Sequence, residues 1–471
     1  IVGISDVIHI YTKYIDGLRL GLEKEEAIWK AYKQVGMATF ITSVTTSIGF
    51  LSLVLSGIAP IREFGIYMAI GVMTAFVLSF TLFPAAIILL PKPKIVLSRN
   101  KANIWDQQMT NLYNWVFSHK KGIAVGSVFL FTFGAIGTSQ LKINSYLADQ
   151  LPKTSNVKKS FDYIAENFSG MRNVDLFVTV KDTTKTVLDY EIAQEIHLLE
   201  SYLKDEYEVG ALISPAGIIK QANQAHLGGE PESYTFPSPE EYPTLQPILR
   251  KVSKNAFVKS IILDDAKTGR ITGNMDDMGS NINLKRNKTL LAFADENCPN
   301  LTVKLLGMSH FSDINNLRVS QSLIKSLGLA FVLISILMAF LYKSFRIIVI
   351  TSIPNVLPLL LVGSLMYLTG MEINVSTMLI FTIAYGIAVD DTIHFLGNLR
   401  IELSKGLELE EAIKNTFKST GKSIILTTLI LFTGFSSHGL SEFASSSDLG
   451  ILVSSCLVFA VVIDLTLLPI L

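Results

Sequence analysis

The chain reads as a polytopic α-helical membrane protein made of two parallel transmembrane repeats, with one α+β domain inserted outside the membrane. Three observations carry that expectation. First, 49% of the 471 residues are apolar and only 17% charged, with a mean hydropathy of +0.42, more apolar than a soluble surface tolerates. Second, the apolar residues fall into long runs, each able to span a hydrocarbon core at ~1.5 Å rise per residue. Third, sliding the chain by 385 positions aligns residues 2–86 with 387–471 without a gap. Of those 85 pairs 27 are identical, too many for chance, so the segment is duplicated, and both copies run in the same direction.

Taken in order, the spans expected are the end of a helix at 1–10, then 38–59, 64–90, 122–137, 321–342, 347–368, 375–396, 423–440 and 449–471. Pro354 and Pro358 should kink the 347–368 span. Lys and Arg gather in the segments 13–36, 91–121, 343–346 and 398–422, which carry 5, 6, 2 and 5 of them, while the alternate loops carry one in total. Basic loops stay cytoplasmic, so the polar stretch 142–320 is expected on the outer or periplasmic side. Within 91–121, residues 102–117 read as an amphipathic helix with Trp105, Leu112, Trp115 and Val116 among its apolar positions. It either lies along the inner membrane surface or packs on protein as a connector.

The domain boundaries that follow are 1–90 for the end of the first transmembrane repeat and 91–121 for a cytoplasmic amphipathic linker. Residues 122–141 are the next span, 142–320 the extracytoplasmic domain, and 321–471 the rest of the second repeat. Inside the insert, 173–181 alternates as a strand, 187–203 and 215–225 read as helices, and 209–213 is a short apolar run. Residues 228–243, with four prolines, suggest a linker or flap. Then 257–263 and 269–275 look like paired strands around a turn at 264–268, followed by a helix at 281–295 and a strand at 301–307. That order fits a split ferredoxin-like α+β subdomain, with room for a second unit.

The chemistry lies in the 375–396 span, which places Asp390, Asp391 and His394 within an apolar helix. A charged aspartate at that depth costs roughly 2.5–3.5 kcal/mol on insertion scales, so a functional reason is expected. Asp391 and His394, three apart, share a helix face. The duplication sets Asp6 against Asp391, His9 against His394 and Ser5 against Asp390. Asp6, His9, Asp390, Asp391 and His394 are the expected proton relay. Repeat-matched Thr42 and Thr427, and Asp464 opposite Ser79, are candidate relay partners, with packing as the equal alternative. Interhelical packing glue is the competing reading, at ~0.6 kcal/mol per hydrogen bond. Ser, Thr or Asn would do that at less desolvation cost. Carboxylates crowded in a low-dielectric interior cannot all be ionised, so the set should hold at least one proton at neutral pH and titrate as a group. The two acidic helices should meet at a central seam, with Asp6 and Asp391 facing it.

No enzyme is expected. Ser309, His310, Asp276 and Asp277 have no nucleophile elbow or placed partner. No phosphate-binding glycine loop and no metal-ligand spacing occur, so no cofactor, metal or nucleic acid is expected. Cys298 and Cys456 sit in different environments and do not suggest a disulfide. If the chain is a transporter, its energy must then come from an ion gradient.

Six-span repeats, a large outer domain after the first span of the repeat and the run GIAVDDTIHF in the fourth span together resemble the resistance-nodulation-division (RND) superfamily. Within it the chain is most similar to MMPL-type exporters, and more distantly to Patched and the sterol-sensing-domain proteins. The resemblance covers the whole chain and equates 1–10 with span four, 122–137 with span seven and 449–471 with span twelve. On that basis three spans and an outer domain are expected upstream of Ile1, and a cytoplasmic tail beyond Leu471. The resemblance implies a porter-like role for the outer domain and proton-driven export of a hydrophobic or lipid-like substrate from the inner membrane. It implies relay acids in spans four and ten. Implied partners are membrane lipids, protons in preference to sodium, and a homo-oligomer or a periplasmic adaptor. The leading acid of the MMPL-type Asp-Tyr pair falls on Asp390, with Asp391 in the tyrosine position; the first repeat has Ser5 and Asp6 there. Two other functions remain open from sequence: a Patched-like lipid or sterol sensor, and a proton-driven accessory factor of protein secretion.

Overall fold

The computed structural model describes residues 2–93, 102–152, 154–263 and 266–471. The chain divides into two units, one formed by Ile1–Ile143 and Val319–Leu471, the other by Asn144–Arg318.

The first unit is helical. It begins with α1 (Val2–Arg19), α2 (Lys24–Leu51), α3 (Ala59–Leu89), α4 (Ala102–Ser118) and α5 (Lys120–Ser139). Among the described residues eight helices are long and apolar enough to cross a membrane. The shorter α1, which carries Asp6, His9, Lys13 and Asp16, is not one of them. It runs nine residues beyond the apolar stretch seen in the sequence, and α2 starts at Lys24. Most of the basic segment 13–36 is therefore helix continuing past the apolar core, with only a tight turn between.

In the second unit come α6 (Asn156–Asn167), β1 (Arg172–Val180), α7 (Tyr190–Asp205), β2 (Gly210–Ile213) and α8 (Pro215–His226). They are followed by α9 (Tyr242–Val252), α10 (Ala256–Lys259), β3 (Thr268–Met275), α11 (Ser280–Asn297) and β4 (Leu301–Leu306). The four strands form one antiparallel sheet in the order β2-β3-β1-β4, with Leu176 of β1 opposite Ile271 of β3 and Leu305 of β4. Alternation puts Leu176 and Val178 on the face that packs against Ile192, Ile196 and Leu199 of α7 and Leu290 of α11. At the entrance to β1, Gly170 has φ +89 and lies so near the Met275 carbonyl that a Cβ would sit 2.1 Å from it, so only glycine fits.

Several expectations change here. The stretch 257–263 is not a strand: it contains α10 and a single bridge from Ile262 to Gly269. Asn255 caps that helix by accepting the Phe257 amide, which turns the chain before pairing can propagate. The short run 209–213 supplies β2 instead. One sheet accounts for all the strands described in this unit, so the second α+β module is absent among the described residues. The expected 228–243 linker carries a one-turn helix at Pro231–Ser233 and leads into α9, whose Tyr242, Leu245 and Leu249 are buried. Residues 264 and 265 of the expected turn, and 94–101 of the linker before α4, lie outside the described residues.

The chain then continues through α12 (Met308–Tyr342), α13 (Phe345–Thr369), α14 (Val375–Ser404), α15 (Leu409–Ser436) and α16 (Ala444–Thr466). Pro354 and Pro358 lie inside α13 without ending it. Small residues bring α5 against α13: a Cβ on Gly137 would sit 2.2 Å from the Ser364 hydroxyl oxygen. Helix α14 starts at a capping box between Asn374 and Thr377. It is the centre of the helical unit, with 83% of its most apolar window buried, against 11% for α3 and α5. That placement keeps its acids away from lipid. Helix α4 packs on protein: Met109 and Tyr113 join Phe395, Phe417 and Leu465, while Trp105 and Trp115 remain exposed.

Candidate functional site

The acidic residues meet where α1 and α14 touch. Ser5 donates its hydroxyl proton to Asp390 at 2.8 Å, and the rings of His9 and His394 stack at 3.7 Å between centroids with planes 10° apart. In both contacts a residue meets its own counterpart 385 positions on. Equivalent residues can touch only on the axis relating two repeats, so the pseudo-two-fold axis passes between these helices.

Asp6 and Asp391 do not occupy that seam. Neighbouring helix residues are ~100° apart. With Ser5 and Asp390 on the axis, the next residue in each copy turns to the following helix of its own repeat. Ser43 of α2 donates to Asp6 at 3.3 Å and Thr428 of α15 donates to Asp391 at 3.4 Å, both across 37 residues. Thr42 and Thr427 spend their hydroxyls on backbone carbonyls of their own helices, Thr42 on Thr39 and Thr427 on Ser423 and Ile424. The sequence signal for the true partners was hydroxyl chemistry at matched positions, Ser43 and Thr428, rather than residue identity.

Asp464 of α16 joins from the second repeat alone. Its Oδ1 lies 3.0 Å from the Thr392 hydroxyl, which is also 3.1 Å from Oδ1 of Asn355 on α13. One hydroxyl proton serves one of these acceptors at a time. Asp390 lies within electrostatic reach of Asp6, and Asp390 and Asp464 both act on Asp391. The four carboxylates thus form one cluster, all on buried residues. Within 4 Å of them the only basic nitrogen among the described residues is Nε2 of His394, 3.5 Å from Asp390 Oδ1 and poorly aligned for a hydrogen bond. Two imidazolium rings at this stacking distance would repel each other.

One helical turn further along α1 and α14, Lys13 and Asn398 are again repeat-matched. Lys13 donates to the Ser419 carbonyl at 3.5 Å and Asn398 to the Thr420 hydroxyl at 2.9 Å. With His9, His394, Gln34 and Ser423 they line a cavity of about 10 Å³, just enough for one water. Among the described residues no cluster of three or more His, Cys, Asp or Glu is arranged to hold a metal ion. The site therefore gathers carboxylates, hydroxyls and imidazoles, all groups able to exchange protons, at and around the axis between the repeats.

A unit in which eight of the described helices are long and apolar enough to cross a membrane defines a multi-pass membrane protein. The family model of the MMPL family matches residues 2–117 and 149–471, and the chain belongs to that family, within the RND superfamily. The family points to RND-type transport of lipid-like substrates. The chain is similar to a membrane protein of Methanocaldococcus jannaschii, 23% identical over 75% of this chain and 90% of that one. It is also similar to the membrane protein YdfJ of Bacillus subtilis, 25% identical over 39% of this chain and 26% of that protein.

Proposed function

We propose that the protein exports a hydrophobic or lipid-like substrate from the cell inner membrane, driven by the proton motive force, with Asp6, Asp390, Asp391, His9 and His394 as the relay. The observation that carries this reading is four buried carboxylates with no lysine or arginine beside them among the described residues, Asp390 on the axis between the repeats and the other three around it. Protons are the neutralising cation that fits such a cluster without a dedicated cage of ligands. Each proton crossing inward supplies ~2.3 kcal/mol per 100 mV. Protonation alters the packing of α1 against α14, two helices held together by the Ser5 and histidine contacts, and so biases two arrangements of the repeats.

In this reading the unit Asn144–Arg318 is an extracytoplasmic porter-like domain of ferredoxin-like type. Its sheet order, with β1 between β3 and β4 and a helix after β1 and after β3, supports that class. Burial pushes the Cys298 thiol up to about 12, and Cys298 and Cys456 are both buried, so the native protein gives a low labelling background. Glu240→Cys, at an exposed site, should react with an impermeant maleimide in intact cells. Labelling only after lysis would invert the topology.

The decisive experiment is Asp391→Asn in the intact protein, reconstituted in vesicles with an imposed pH gradient. It keeps the shape and most hydrogen bonding but removes the titratable proton. Substrate transport and coupled proton flux should fall to background while the protein stays folded. Wild-type transport with wild-type proton flux would remove Asp391 from the relay and the mechanism with it.

A further inference from the structure

Between α15 and α16 the second repeat holds an apolar crevice of about 500 Å³ that reaches Leu112 of α4 and is lined by Ile425, Leu429, Val461 and Leu465. The duplication provides the comparison. Ile425, Val461 and Leu465 align with Phe40, Phe76 and Phe80. In the first repeat those three rings pack in series between α2 and α3, Phe40 on Phe76 at 5.6 Å and Phe76 on Phe80 at 4.8 Å between centroids. The first repeat fills this cleft with its own side chains, and the second replaces all three rings by aliphatic groups. Against these losses, Thr428, Leu429 and Phe432 are larger than their first-repeat counterparts Ser43, Val44 and Ser47.

The crevice faces outward: Leu429 and Val462 are more than half exposed, on a surface that meets acyl chains in a membrane. Its charge is defined too. Lys414 and Lys418 lie eleven and seven residues before Ile425, on the same helical face and toward the basic-loop end of α15. Both are partly exposed, and neither pairs with an acid among the described residues. An apolar slot continued by two unpaired cations matches an acyl chain beneath an anionic headgroup. At its inner end stands Thr428, which lines the crevice and donates to Asp391.

We propose that this crevice is a binding site for one anionic phospholipid of the leaflet facing the basic loops. Its acyl chain lies between α15 and α16 and its headgroup at Lys414 and Lys418. Through Thr428 its occupancy sets the packing against Asp391, a consequence that rests on the relay reading above. The binding itself does not.

The test is native mass spectrometry of the intact purified protein, exchanged into mixed micelles of phosphatidylglycerol and phosphatidylcholine. The wild type should retain one phosphatidylglycerol in preference to phosphatidylcholine. Ile425→Phe with Val461→Phe and Leu465→Phe, which imports the first repeat's rings, should lower retained lipid about tenfold, a loss of ~1.4 kcal/mol. Val461→Phe alone, a milder change, should lower it in the same direction if the triple variant does not fold. Lys414→Gln with Lys418→Gln, at the surface, should abolish the preference for the anionic lipid. Equal retention by the wild type and the filled variants overturns the proposal, and so does equal retention of both lipids by the wild type. Because lipid retention is read without transport, a failure of the relay leaves these outcomes unchanged.

Discussion

Buried acids keep different company in the two units. In Asn144–Arg318, Asp277 and Asp313 both hold Arg172, whose side chain is 2% exposed, Asp175 meets Arg270, and Glu200 meets Lys220. In the helical unit, Asp6, Asp390, Asp391 and Asp464 have hydroxyl partners and, at a distance, one imidazole. A guanidinium cannot give up its proton, so the Arg172 and Arg270 pairs are fixtures of the fold. A carboxylate facing hydroxyls in a low-dielectric interior has no fixed cation to match its charge, and in the proposed relay it is neutralised by a proton that can leave. The residue type and the burial are alike, and the partner separates structural charge from chemical charge.

The largest effect that can break this comparison is expected at Arg172. Arg172→Ala strands Asp313 as a buried charge, takes the cation from partly exposed Asp277, and should destabilise the intact protein by about 3–5 kcal/mol, read by denaturant unfolding in detergent. Replacing the arginine and both acids together by apolar residues should recover most of that loss. Asp391→Asn, by contrast, should leave unfolding unchanged while transport is lost. Were the two variants to exchange these phenotypes, the division between structural and chemical acids would fall.

Smaller effects are expected within the axis itself. His9 and His394 touch as a pair, so a double-mutant cycle with His9→Ala and His394→Ala should return a coupling of about 0.5–1.5 kcal/mol in stability. If the pair also carries protons, His394→Ala should reduce transport more than His9→Ala, because only His394 lies beside an acid. Equal losses would assign the pair a purely symmetric role. The Thr428 hydroxyl makes a long contact of 3.4 Å with Asp391. Thr428→Val should therefore sit at the low end for a buried hydrogen bond, about 0.5–1 kcal/mol, and a larger loss would mean that Asp391 is held charged.

Sequence showed much of this arrangement because a duplication prints the axis directly: any residue pair 385 apart is a candidate to touch, as Ser5 with Asp390 and His9 with His394 do. It did not show which side of the helix each acid takes, since a one-residue step rotates a side chain by ~100°. Identity favoured Thr42 and Thr427, whereas the contacts fall on Ser43 and Thr428, where only the hydroxyl is common to both copies. Membrane helices were legible from composition, and their ends were not, because α1 and α15 run on as polar helix past the apolar stretch. In the other unit β1, α11 and β4 lie close to the stretches expected for them. Residues 257–263, apolar enough for a strand, were taken by a short helix started by the Asn255 cap, a local bond that outweighs β propensity.

The smallest expected effect tests whether partner and burial, rather than the mere presence of an ion pair, set these energies. Lys158 and Asp162 form an ion pair one turn apart on α6, with side chains 25% and 47% exposed, in the same unit as the Arg172 pairs. Water there solvates both groups well when they separate, and two long side chains lose rotamer freedom on meeting. Lys158→Ala should then cost no more than about 0.5 kcal/mol, and added salt should erase most of it. The measurement is the same unfolding curve used for Arg172→Ala, so the two numbers share a reference state. A Lys158→Ala loss approaching that of Arg172→Ala would show that ion pairing alone carries the stability. The absence of cations around Asp6, Asp390, Asp391 and Asp464 would then lose its meaning as a sign of proton chemistry.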